Sequence, residues 1–150
     1  MKSLYLIKKA IFCKKEFFPP KKNKLVLFDV NFLEPFKLFE KKKKFTILHT
    51  RLEVINFYII LVLIFKRKKM SFFNYVLEYL KYTNCKTFLT FNDNNISVYK
   101  IKKYLPKLKV FVVQNGHRNS LFFEDLENHK DLKADFIFTF NRTTGKVVEK

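Results

Sequence analysis

The sequence predicts a doubly wound α/β domain built on a mostly parallel sheet of about five strands. Three observations carry that expectation. Short apolar runs at 25–28, 45–48, 86–91, 110–113 and 134–140 alternate with segments of helical periodicity. Between the third and fourth runs, Val98, Ile101, Tyr104 and Leu105 recur three and four apart, as one helix face requires. Two apolar strands joined through such a helix form a βαβ unit, which is parallel and right-handed. Finally, each run stops at polar residues, so in a parallel sheet the polar clusters share the carboxyl edge, where open α/β sheets bind ligands.

The elements follow in order. Residues 1–23 read as a helical extension, with Leu4, Ile7, Ile11 and Phe18 on one side, stopped by Pro19-Pro20. The predicted α/β domain spans 24–141. Its first strand, 25–28, ends at Asp29. A helix is expected over 32–40, then a basic loop at 41–44, then a strand at 45–48 ending at His49-Thr50-Arg51. The run LEVINFYIILVLIF at 52–65 is the most hydrophobic segment. Read as a helix from Val54 to Phe65 it would span about 18 Å, short of a bilayer core of roughly 30 Å, so a buried core helix is favoured over a membrane element. Ser71 starts a further helix to about Thr83, with Phe72, Val76, Tyr79 and Leu80 on one face. In the βαβ unit, Asn94 or Asn95 caps the helix and Pro106 ends it. Another helix is expected from Ser120 to about Lys130, before the last strand. Residues 142–150 form a polar tail, read as the point of truncation.

Composition bounds the partners. At 150 residues, about half of them apolar, the chain can bury a core of its own. The net charge of +18 suggests an anionic partner, but the cations are 27 Lys against 4 Arg. Phe (20) and Asn (12) are abundant and Gly occurs twice, a bias of A/T-rich codons. That argues for a solvated Lys surface and against a nucleic-acid reader, which would more often show Arg and a recognisable motif. Attraction to an anionic membrane stays open. Cys13 and Cys85 are isolated, which fits a reducing compartment. Lys8, Lys9, Lys14 and Lys15 interrupt any secretory apolar core, so a cytoplasmic location is expected, with peripheral contact at the inner membrane face as a variant.

The candidate site is positional. Asp29, His49, Arg51, Asn92, Asp93, Gln114, Asn115, His117, Arg118 and Asn141 all follow strands. Each has a plainer reading: the Asn-Asp-Asn-Asn stretch at 92–95 as turn and cap, Gly116 as a turn residue. The group as a whole outlines one functional rim. No dinucleotide, P-loop, nucleophile-elbow or zincin motif is present, and with two glycines a phosphate-cradling loop is excluded. The spacing of His49, His117 and Asp93 gives no support for a metal.

Three blocks carry a resemblance. They are 45–56 with His49, Arg51, Glu53 and Asn56; 89–106 with Thr90, Phe91, Asp93, Asn94 and Asn95; and 113–118 with Gln114, Asn115, Gly116 and Arg118. In this order they resemble a family of bacterial surface carbohydrate (lipopolysaccharide) biosynthesis proteins, and the strand from Ala134 to Phe140 looks like a further block of it. The resemblance covers roughly 24–141. It implies a Rossmann-like fold and the amino-terminal, acceptor-side half of a two-domain, GT-B-like glycosyltransferase. In that setting His117 or Asp93 would be the base for an acceptor hydroxyl, and Arg51 and Arg118 would contact anionic phosphate. Asn92, Gln114 and Asn115 would hydrogen-bond a sugar, with Asp29 and His49 completing the substrate set. The implied partner is a sugar or glycan acceptor. No cofactor is implied for this half; a nucleotide-activated sugar donor would come with a missing carboxy-terminal domain, since such proteins are about twice this length. The 150-residue chain alone is then expected to be inactive.

Overall fold

The runs of β-formers do become strands of one parallel sheet. The structure is a computed structural model and describes residues 13–28, 45–49, 53–116, 128 and 132–140. The main sheet contains β2 (Leu25–Phe28), β3 (Phe45–Leu48), β5 (Thr87–Thr90), β6 (Lys109–Val113) and β7 (Phe136–Phe138). Its order is β3-β2-β5-β6-β7 and every pairing is parallel. The chain goes from β2 outward to β3, then returns across β2 to β5, so the winding reverses between β2 and β5. This is a Rossmann-like α/β arrangement. Register places Val26, Phe88 and Val110 in one row, and Phe28, Thr90 and Val112 in the next. All six are buried, and the five apolar ones belong to the main core.

Helices close that face. α2 (Phe72–Tyr82) begins at Ser71, whose hydroxyl accepts from the Asn74 N–H at 3.2 Å. It buries Tyr75, Val76, Tyr79 and Leu80. α3 (Ile96–Tyr104) is capped by Asn95, whose side chain accepts from the Ser97 N–H at 3.0 Å, and it buries Val98, Tyr99 and Ile101. Leu105 ends it, because Pro106 disfavours helical geometry at the residue before it. Phe28 stacks near Phe72 and Phe88, joining sheet to helix.

Two expectations need correction. The run from Val54 to Phe65 is not one helix: Val54–Asn56 is a strand, β4, and the helix α1 is Phe57–Phe65. A continuous apolar run has no polar residue to mark its period, so strand and helix look alike in it. Asn56 makes the division. Its Oδ1 accepts from the Ile59 N–H at 3.2 Å as an N-cap, and its own N–H donates to the Tyr75 hydroxyl at 2.9 Å. The amino-terminal extension is likewise not helical as far as Phe18. Lys14–Glu16 is a strand, β1, pairing in parallel with β4 in a second, two-stranded sheet. The Asn56 side-chain amide reaches across and donates to the Phe18 carbonyl at 2.9 Å. The core-helix reading holds for one side of α1 only: Ile59, Ile60 and Leu63 are buried in the main core, whereas Leu61, Ile64 and Phe65 face outward. The helices expected at 32–40 and 120–130 and the polar tail lie outside the described residues, apart from helical Asn128.

Charged residues lock the periphery. Glu78 is buried on α2, where Lys66 at 2.6 Å and Lys68 both pair with it. Burial alone would raise its carboxyl; the hydrogen bonds from Lys66 and Lys68 outweigh that and hold it below the usual carboxylate range. Asp135, just before β7, accepts from the Val110 N–H at 2.8 Å and pairs with Lys102 of α3 at 2.8 Å. It ties edge strand, neighbouring strand and helix together.

Candidate functional site

The rim at the carboxyl edge is built from hydrogen bonds that turn the chain as it leaves each strand. Thr90, fully buried at the end of β5, accepts the Asn92 N–H on its hydroxyl at 2.9 Å. The Asn92 carbonyl then accepts from the Asn95 N–H at 3.2 Å, and Asn95 starts α3. Asp93 lies inside this turn and is 3% exposed. Its carbonyl accepts from the Tyr99 hydroxyl at 3.0 Å, and its carboxylate accepts from the Asn115 N–H at 3.3 Å. The polar clusters after β5 and β6, some twenty residues apart in sequence, therefore touch. The turn-and-cap reading of 92–95 holds, and Asp93 of the same stretch also ties the turn after β5 to the one after β6.

Gln114 has another task. Its backbone N–H donates to the Phe138 carbonyl at 2.8 Å, and its side-chain oxygen accepts from the Phe140 N–H at 3.1 Å. Its side-chain amide donates to the Gly116 carbonyl at 2.8 Å. The side chain is 6% exposed and spans the ends of β6 and β7 as a clamp. Asn115 is exposed beside it and Asn92 is half-buried.

His49 stands apart. It ends β3, the outer strand on the opposite side of β2, and its Nδ1 lies 3.7 Å from the Glu53 carboxylate. It opens onto a cavity of about 850 Å³ between β3 and the stretch that follows β1. Glu16, Asn23, Thr46, Asn56 and Tyr75 supply polar groups to that wall, and Phe18 and Tyr79 supply rings. Burial pushes the Tyr75 hydroxyl up to about 12 and raises that of Tyr79 as well, so both stay neutral near pH 7. The volume is in the range of small-molecule sites. Asn92, Asp93, Gln114 and Asn115 do not line it. The sequence-predicted set is thus divided between a rim at β5 and β6 and a cavity beside β3. Asp29, Arg51, His117, Arg118 and Asn141 lie outside the described residues.

Sequence reasoning missed the contributions of Glu16, Tyr75 and Tyr79 to this cavity, because it assigned 1–18 and 54–65 wholly to helix. The available signal was Asn56, a polar residue in an apolar run with a cap's spacing to Ile59. Among the described residues no cluster of three His, Cys, Asp or Glu side chains could hold a metal ion, and no helix is long and apolar enough to cross a membrane. Compared with protein-family models, curated proteins and solved structures, the chain matches none.

Proposed function

We propose that this chain is the acceptor-side half of a glycosyltransferase-like protein of surface-polysaccharide biosynthesis. The observation that supports this reading best is the contact of Asp93 with Asn115. It joins the two blocks, at 89–95 and 113–118, on which the family resemblance rests. Hydroxyls, amides and rings facing one cavity, with the carboxylate of Glu16 and the cations of Lys15 and Lys21 in its lining, suit a sugar, whose own hydroxyls both donate and accept. In this reading the acceptor sits beside His49, and His117 takes the proton from its hydroxyl; Asp93, buried and outside that cavity, instead holds the turn at Asn115. Arg51 and Arg118 neutralise the leaving phosphate of a nucleotide-activated donor. That donor would be held by a second Rossmann-like half, as in the resembled proteins, with closure excluding water.

Saturation-transfer NMR of the full chain with a panel of neutral and acidic sugars tests the proposal. The expected result is saturable millimolar binding of a sugar that His49→Ala weakens, with no nucleotide-sugar hydrolysis above background. Absence of binding by any sugar refutes the acceptor role. Turnover by this chain alone that vanishes in His117→Ala refutes the need for a second half.

A further inference from the structure

The outward face of α1 is apolar from end to end. Phe57, Leu61, Ile64 and Phe65 fall at i, i+4, i+7 and i+8, one stripe along the helix. Leu61, Ile64 and Phe65 are 50%, 56% and 83% exposed. At the helix start the exposed Phe17 lays its ring 5.5 Å from that of Phe57 and lengthens the stripe. The opposite side buries Ile59, Ile60 and Leu63, so α1 is apolar both inward and outward. A helix side facing water is normally polar. This chain obeys that rule on α3, which turns Ser97, Lys100 and Lys103 outward. With 27 Lys in the sequence, α1 contains none.

Cations gather where the stripe ends. Lys66, Arg67, Lys68 and Lys69 follow α1 directly, and Lys81 approaches the same Glu78 that Lys66 and Lys68 bind. Three of these five positive charges, on Lys66, Lys68 and Lys81, meet the one carboxylate of Glu78. Arg67 also occupies a position that suits glycine, with φ of 51°. Its N–H donates to the Ile64 carbonyl and the Lys68 N–H to the Leu63 carbonyl, which makes the turn a Schellman C-cap. α2 ends in the same way with Asn84 at φ of 53°, a residue that tolerates this conformation. At α1 a cation is held there at a steric cost, beside the most exposed ring of the stripe.

We propose that this face of α1 docks on an anionic lipid surface. The helix lies in the plane of the interface, with Leu61, Ile64 and Phe65 at the acyl boundary and Arg67 and Lys69 among headgroup phosphates. Nine residues cover about 14 Å, so α1 rests on a bilayer and does not cross it. Charge selects the occupant. A second copy would bring its own net charge of +18 against this one, with the cations from Lys66 to Lys69 at the end of each stripe, whereas an anionic surface attracts them. This inference does not rest on the glycosyltransferase reading, and its test involves no sugar.

Flotation of the full chain with vesicles of phosphatidylcholine and phosphatidylglycerol in equal parts, compared with phosphatidylcholine alone, tests it. The expected result is association with the anionic vesicles that weakens as salt is raised. Phe65→Ser should lower partitioning about tenfold. Arg67→Gly should lower it about fivefold while raising the thermal midpoint, because glycine relieves the left-handed backbone. Affinity and stability moving in opposite directions separates a docking role from a folding role. Failure to float with anionic vesicles, or partitioning unchanged by Arg67→Gly, overturns the proposal. A dimer in sedimentation that Phe65→Ser dissolves, without flotation, assigns the face to a second copy and overturns it too.

Discussion

Replacing Asn56 with Ala separates two descriptions of the apolar segment by the sign of the stability change. Asn56 is 2% exposed and sits where β4 becomes α1. Its Oδ1 caps α1 through the Ile59 N–H, a contribution of about 1 kcal/mol. Its amide also donates to the Phe18 carbonyl at 2.9 Å, worth about 1 kcal/mol more. The 3.4 Å approach to the Glu16 carboxylate adds little, because Glu16 is exposed. Asn56→Ala should therefore cost about 2 kcal/mol, and for a chain of this size lower the melting midpoint by about 4–8 °C. If 54–65 were one helix, position 56 would lie in its first turn, and Ala would stabilise it by about half a kcal/mol through helix propensity. Urea denaturation followed by circular dichroism gives the answer as a shift in transition midpoint at constant slope. Asn56→Asp keeps the cap acceptor but sets a buried carboxylate against the Phe18 carbonyl and near Glu16, so it should cost at least as much as Asn56→Ala. A midpoint that stays or rises in Asn56→Ala would refute the division of this segment at Asn56.

Other consequences follow from charges and burial. Glu78 is held below its unfolded value, so its contribution is complete above about pH 4.3 and is lost as pH falls through the lower folded value. Glu78→Gln should cost about 2 kcal/mol at pH 7, less than for a fully buried pair because Lys66 is half exposed, and the gap from wild type should narrow in urea titrations as pH falls through the lowered folded value. Burial pushes the Cys85 thiol up to about 11, so native alkylation at pH 8 should be about a hundredfold slower than in urea, as peptide mass spectrometry would show; equal rates would contradict its burial. Asp135→Ala removes the acceptor of the Val110 N–H and the carboxylate paired with Lys102, which keeps the Pro106 and Leu108 carbonyls; it should cost about 2 kcal/mol and speed amide exchange of β7 before that of β5.

Much of the main sheet was legible in the chain because its signals are local. Strands 25–28 and 45–48 are bounded by polar residues, and Ser71, Asn95 and Pro106 punctuate helices through bonds to atoms within a few residues. Such signals place polar clusters at strand ends, and a parallel sheet then carries His49, Asn92, Asp93, Gln114 and Asn115 to one edge. Which of these meet is not a local matter. Asp93 reaches Asn115 only because β5 lies beside β6, and His49 is separated from them because β3 lies beyond β2. Lys14–Glu16 has no strand pattern of its own. It is extended because β4, forty residues later, supplies the partner for its backbone groups, as when the Lys14 N–H donates to the Glu53 carbonyl at 2.9 Å. Glu78 belongs to this class too. On a helix it reads as a solvated charge, and it is buried because Lys66 and Lys68 fold back over it. Periodicity, capping and turn chemistry are properties of neighbouring residues and can be read from the sequence. Strand order, edge pairing and the burial of a charge depend on groups far along the chain, and only their meeting in the folded protein decided them.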